Sequence, residues 1–423
     1  MILASILVLF YFLTPALIVY LTHISKLANK IGAVVMAYAI GLLVGNSGLF
    51  PTATEAYSAL VAGKSSLPGD QVTKLLQDGV ITPGDVLRNE ISSIQNNIIT
   101  IVIPLAIPLL LFSLDLKRWL KLAREAMLSL ALGVISLLIV VIVGYFLFKN
   151  SIDGAWKVSG MLVGIYTGGT PNLAAISTAL EVNPTIFILT HTYDLVLGAV
   201  CLLFLLTSAQ RLFNRFLPHF SESHRHVNLK NIVQEAEGVD NYIGMLTRSV
   251  GIQLAKALGL AILIVAAGGG LGLVVPEKAR MVTVILTITT LGLAFSTIKW
   301  VNRLEKTFQL GMYLIIVFSL VVSSMANLLG MFRIEFLSLF LFVMLGVFGS
   351  MIIHVGLSYI FRVDTDTTIV TITALTFSPP FVPVVAGALR NRDIILSGLT
   401  TGILGYVFGN YLGIALAYFL KGF

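Results

Sequence analysis

An all-α polytopic membrane protein is what this sequence predicts, built from two inverted repeats that each hold about five transmembrane helices and one broken or re-entrant helix. Composition, the spacing of apolar runs and matching helix breaks in the two halves carry that reading. Of 423 residues, 57% are hydrophobic and 11% charged, whereas soluble domains carry about 25% charged residues. With a mean hydropathy of +0.96, most of the apolar surface must face lipid or other helices.

A membrane-crossing helix needs about 20 mostly apolar residues. The segments that approach this length are 2–22, 31–50, 95–114, 124–148, 155–180 and 183–208, then 249–274, 280–298, 307–330, 335–360, 367–389 and 393–420. The opening MILASILVLFYFLTPALIVYL lacks a basic n-region and a clear small-residue cleavage site, so it is expected to remain as the first helix. Two long polar connections interrupt the pattern. Residues 51–94 carry Asp70, Asp78, Asp85 and Glu90; residues 209–248 carry Arg211, Arg215, Arg225, Lys230 and Arg248. The second connection, expected to be cytoplasmic, divides the chain into a first repeat, 1–208, and a second, 249–423.

The fifth segment of each half is unlike the others. It reads GIYTGGTPNLAAIST within 155–180 and TALTFSPPFVPVVAGAL within 367–389. Proline removes a helix donor and clashes with the preceding turn. Non-helical backbone at membrane depth survives only where protein buries it or where it lines a wet cavity, and interrupted segments at matching places in two halves point to a transporter binding site. If both segments are hairpins that enter and leave on one face, most of the 27 Lys and Arg residues fall on the side of the 209–248 loop. The acidic 51–94 loop and the C-terminus then lie on the other side, as the positive-inside rule favours. Two full but unwound crossings are the alternative.

The candidate residues follow from the breaks. In the first, Thr167, Gly168, Gly169, Thr170, Pro171 and Asn172 combine backbone that a ligand can approach closely with the start of a helix, whose N-terminal end favours an anion. Freed carbonyls there suit a hard cation. In the second, Thr376, Ser378, Pro379 and Pro380 form the tip, after an approach rich in threonine (Thr365, Thr367, Thr368, Thr371, Thr373). Asp194 lies inside a span, where an acidic residue is costly and by default functional; Asn410 holds the corresponding place in the second half. Asp194, Asn410, Thr170 and Ser378 are the expected ion-coupling residues, with Asp194, Asn172 and Asn410 the sodium candidates.

Other polar residues within apolar runs have plainer readings. His191 and His354 read as buried core residues, Ser323, Ser324 and Asn327 as bonds between helices, and Lys256 as a snorkelling or paired side chain. Asp364 and Asp366 are placed as caps of the next segment. Pro104 and Pro108 are expected to bend the third span. Lys117, Arg118, Lys121 and Arg124 read as cytoplasmic anchors. The lone Cys201 excludes an intramolecular disulfide and reads as packed core.

The strings IPLLLFSLDLKRW, GIYTGGTPNLAAI and SPPFVPVVAGALRNRD resemble the YjcL-like family of uncharacterised bacterial membrane proteins, along the full length. More distantly, the plan is similar to the bile acid/sodium, glutamate/sodium and citrate/sodium symporters. That resemblance implies sodium-coupled movement of an organic anion by an elevator-like motion. Gly168-Gly169 matches the Gly-Gly tip of the citrate type, whereas Ser378-Pro379-Pro380 departs from it.

The sequence contains no Walker loop, HExxH or GxSxG motif, so an enzyme is not expected. The expected function is a secondary active transporter, a sodium-coupled symporter of a small organic anion (a carboxylate, amino acid or small peptide). The alternatives are a proton-coupled transporter of a non-anionic solute and an uncoupled channel. No cofactor is expected beyond sodium as coupling ion. The expected partners are the substrate and the lipid bilayer, with a scaffold able to form a homodimer and no nucleic acid. The expected location is the bacterial cytoplasmic (inner) membrane.

Overall fold

The computed structural model describes residues 2–25, 28, 31–51, 53–61, 66–113, 124–220, 242–325, 334–377, 379–391 and 393–423. Ser378, Asn327, Lys117, Arg118 and Lys121 lie outside them. The described residues are mostly helical, with short turns and connections between the helices, and contain no strand. In chain order the helices are α1 (Ile2–Ile24), α2 (Ala33–Asn46), α3 (Glu55–Val61), α4 (Gly69–Gln77), α5 (Pro83–Phe112), α6 (Arg124–Phe148), α7 (Ala155–Ala179), α8 (Pro184–Thr207) and α9 (Ala209–Phe213). Then come α10 (Arg248–Val274), α11 (Arg280–Ser296), α12 (Lys299–Asn302), α13 (Thr307–Ser324), α14 (Leu337–Met344), α15 (Ser350–Phe361), α16 (Thr365–Phe377), α17 (Val382–Ala388) and α18 (Ile395–Leu420). A π-turn over Leu345–Gly349 joins α14 to α15, making one apolar helical run from Ile334 to Phe361.

The third span differs from its expected start. Helix α5 begins at Pro83 rather than near residue 95, because Thr82-Pro83-Gly84-Asp85 is a capping box. The Asp85 amide donates to Thr82 Oγ1 at 3.3 Å, and the Thr82 amide donates back to Asp85 Oδ2 at 2.9 Å. Proline at the first helical position suits both. The helix continues unbroken through Pro104 and Pro108.

Two compact units organise the chain. The first comprises Met1–Ala106, Val182–Leu189 and Met312–Ile334. Within it, α2 lies close to α13: a Cβ at Gly41 or Gly45 would overlap Ser323 or the Ser324 carbonyl. Small residues allow such backbone approach between membrane helices. Ser324 Oγ, Tyr11 Oη and Gln95 Nε2 form a buried polar knot with separations of 2.8–3.0 Å. Ser324 thus bonds helices together. Outside the apolar runs, Tyr57, Leu67, Val72 and Ile81 form a small core. Asp85 accepts four hydrogen bonds beside it, from the amide and hydroxyl of both Thr54 and Thr82.

The second unit comprises Ile107–Glu181, Thr190–Gly311 and Glu335–Phe423. Both broken segments lie in it, packed on α18. Lys256 is exposed on α10.

Candidate functional site

Helical geometry fails inside α7 at Tyr166 (φ −91°, ψ 16°) and Gly169 (φ 68°, ψ −160°). The positive φ at Gly169 is one that glycine alone adopts without strain, and Pro171, which needs no donor partner, starts the returning arm. The chain doubles back here. Lys157 Nζ donates to the Glu181 carbonyl at 2.8 Å, and a Cβ on Gly164 would lie 3.3 Å from the Asn172 carbonyl carbon. The segment is therefore a re-entrant hairpin with its tip at 166–170, not an unwound crossing.

The second break also folds back. Its arms are α16 and α17, joined through a short 3₁₀ turn over Pro379–Phe381. At the base, the carboxylate of Asp366 accepts from Asn391 Nδ2 and Gln210 Nε2, each at 2.9 Å, and Gln210 also reaches the Leu389 carbonyl at 3.4 Å. Asp366 thus ties the two arms together instead of capping. Asp364 does cap: its Oδ1 accepts the Thr367 amide at 2.8 Å. Burial pushes the Asp364 carboxyl above the ordinary carboxylate range, against the opposing effect of that bond.

Both hairpins lie on one glycine stripe of α18. A Cβ at Gly398 would overlap Val370, at the middle of the second hairpin's first arm, and one at Gly402 would lie 2.8 Å from Pro379 at its tip. At Gly405 it would overlap the Thr167 carbonyl, at Gly409 the Thr167 hydroxyl and the Asn172 amide, and at Gly413 it would stand 2.7 Å from the Gly160 carbonyl. The base of the first hairpin reaches the far end of α18, where Trp156 packs on Tyr418 with ring centroids 5.8 Å apart. The two hairpins therefore approach α18 from opposite ends, and their tips converge between Gly402 and Gly409.

The predicted residues divide around this centre. Thr167 is buried, its hydroxyl donating to the Val163 carbonyl at 2.7 Å. Asn172 Nδ2 donates to the Gly405 and Tyr406 carbonyls at 3.2 and 3.5 Å. Gly168 packs beside Asn172, and Thr170 is half-buried. Asp194, on α8, has Oδ2 3.9 Å from His191 Nδ1; it lies near the Tyr166 hydroxyl of the first tip, which is buried and makes no hydrogen bond among the described residues. Asn410 Nδ2 donates to Thr289 Oγ1 on α11 at 3.4 Å, and its buried Oδ1 accepts no hydrogen bond among the described residues. Pro379 lies on Gly402, and the short turn holds Pro380.

Beside the tips is a small, partly open cavity of about 20 Å³, where Tyr166 of the first tip, Thr376 of the second, and Ser350 and His354 of α15 stand among the apolar Leu137, Met351, Ile372 and Leu375. His354 is buried, with Nε2 3.2 Å from Ser129 Oγ. The π-turn brings α15 here: its Gly346 packs under the Tyr166 ring, where a Cβ would stand 2.9 Å from the ring edge. Such turns inside helices are frequent at functional sites. Sequence reading did not single out Tyr166 or Ser350; it read His354 as a buried core residue, and His354 is buried. The available signals were the glycine pair of LGVFG and the 4-3-4-4 glycine spacing on α18.

Comparison with known proteins agrees with the architecture. A family model described as "Protein of unknown function (DUF819)" matches residues 65–423. The "Uncharacterized membrane protein YjcL" of Bacillus subtilis (strain 168) is 24% identical over 341 residues, covering 78% of this chain and 85% of that protein. Among the described residues, 8 helices are long and apolar enough to cross a bilayer. The chain is a multi-pass membrane protein and belongs to the DUF819 family.

Proposed function

We propose that this protein is a secondary active transporter of the bacterial cytoplasmic membrane that moves a small organic anion together with sodium. The observation that carries the reading is the convergence of two broken hairpins, from opposite ends of α18, on one glycine-lined centre. Backbone breaks buried in protein at membrane depth are what substrate and ion sites of transporters are built from. The first tip offers helix-terminal amides after Gly169 for an anion, and Asp194 beside Tyr166 offers a carboxylate for a cation. Fixed to α18, the hairpins would travel as one body in an elevator-like motion. The two-fold inverted repeat is part of this proposal, and the opposed hairpins support it.

The placement of Asp194, 3.9 Å from His191 Nδ1, favours a second reading of the coupling, in which Asp194 carries a proton. Thermal unfolding of the purified protein against a panel of organic anions, in sodium and in potassium, separates the two. A ligand that binds only the folded state raises apparent stability. Stabilisation that needs sodium supports symport with sodium; equal stabilisation in both salts, rising as pH falls, supports the proton. Asp194→Asn and Thr170→Ala are expected to abolish the ligand effect and transport while leaving membrane insertion intact. Normal transport by both variants would overturn the site.

A further inference from the structure

Among the described residues, no Lys or Arg lines the cavity beside the tips, so an anion held there needs another positive partner. We propose that this partner is His354: it receives the carboxylate of the transported anion, and the proton that makes it an imidazolium enters with the substrate. The inference rests on the transporter reading above and narrows its substrate to carboxylates.

The geometry around the ring supports the assignment. Nε2 is 3.2 Å from Ser129 Oγ, which fixes the ring's orientation. The adjoining Cε1–Nδ1 edge lies against Gly133, where a Cβ would stand 3.2 Å from Cε1 and 3.3 Å from Nδ1. Gly133 and His354 both line the cavity. With Ser129 accepting from Nε2–H, Nδ1 is free to take the second proton. Among the described residues, the ring's neighbours in the cavity are uncharged: α6 presents Ser129 and Gly133, α16 Thr376 and the first tip the Tyr166 phenol, while Glu125 stands one turn before Ser129 on α6 and Asp194 lies near Tyr166. A neutral imidazole in such surroundings holds an added proton well only when an anion arrives beside it. The cavity, at about 20 Å³, has room for roughly one water. A carboxylate therefore reaches the ring only in a state of the transport cycle in which this lining has moved apart.

The test uses the full-length purified protein, with acetate, butyrate and benzoate as probes, and reads thermal stability between pH 5.5 and 8 in sodium and in potassium. Taking up one proton per carboxylate weakens apparent binding by about tenfold for each pH unit on the alkaline side. The expected result is that slope in the wild type and its loss in His354→Gln. Ser129→Ala, which frees the ring without removing it, should weaken binding yet keep the slope. A flat wild-type profile, or an unchanged slope in His354→Gln, overturns the assignment; the wild-type profile decides even if the variant fails to fold. If no carboxylate binds at any pH but another solute class stabilises the protein, His354 loses this role and the transporter reading stands. If no solute stabilises it and reconstituted vesicles show only uncoupled conductance, the transporter reading falls as well.

Discussion

At Gly405 a single methyl group would overlap the Thr167 carbonyl, and at Gly409 it would meet both the Thr167 hydroxyl and the Asn172 amide. These contacts are to backbone and to a bonded side chain, which cannot swing aside as the end of a flexible chain can. Overpacking of this kind costs about 1–3 kcal/mol. Gly405→Ala is therefore expected to push the first tip off α18, lowering Tm and removing ligand stabilisation. Gly259→Ala on α10, where a Cβ meets nothing within 4 Å, should leave both unchanged. Equal tolerance of the two variants would show that the stripe does not position the tip. The glycines were visible in GLTTGILGYVFGNYLGI, but only Asn410 was singled out there, because a polar residue in a span attracts attention and a repeated absence of side chain does not. Asn410 donates to Thr289 and keeps a buried Oδ1 unpartnered among the described residues, while Asp194, at the matching place in the first half, lies 3.9 Å from His191 Nδ1.

The helices were legible in the sequence wherever hydropathy governs them. Their ends and pairings were legible only where local chemistry does. The GGTPN and SPPFVP breaks mark the tips because proline and glycine act on their own backbone. That each arm folds back follows instead from packing on α18, which local sequence does not contain, and the π-turn over LGVFG is likewise a tertiary effect. The start of α5 shows the opposite error. The signal Thr82-Pro83-Gly84-Asp85 was present, but a search for apolar spans passes over polar capping residues. This element makes its own prediction. Asp85→Ala leaves the Thr54 and Thr82 amides without the carboxylate they donate to, beside the Tyr57–Ile81 core. Loss of such a cap and its bonds costs about 1–3 kcal/mol. Hydrogen exchange should speed over residues 54–61 and 66–82, with α16–α18 unaffected; unchanged protection there would refute the role given to Asp85.

For the molecule as a whole, the charge pattern and the hairpins make independent statements about which way the chain is threaded. The base of the second hairpin is formed by Asp366, Leu389 and Asn391 and is flanked in sequence by Arg362, Arg390 and Arg392, so the positive-inside rule assigns it to the cytoplasm. The first hairpin begins beyond Asp153 and ends at Glu181, packed on the opposite end of α18, so the same rule predicts that its base opens to the outside. Cys201 is fully buried, which leaves the natural chain a quiet background for labelling with a membrane-impermeant maleimide. Asp153 and Asp393 are both exposed. Asp153→Cys is expected to label in intact cells and Asp393→Cys only after permeabilisation. If both label from one side, the hairpins do not open to opposite faces, and no exchange of access between them can operate. If they label from opposite sides, the tips mark a midpoint that each face reaches through its own hairpin, the arrangement that alternating access requires.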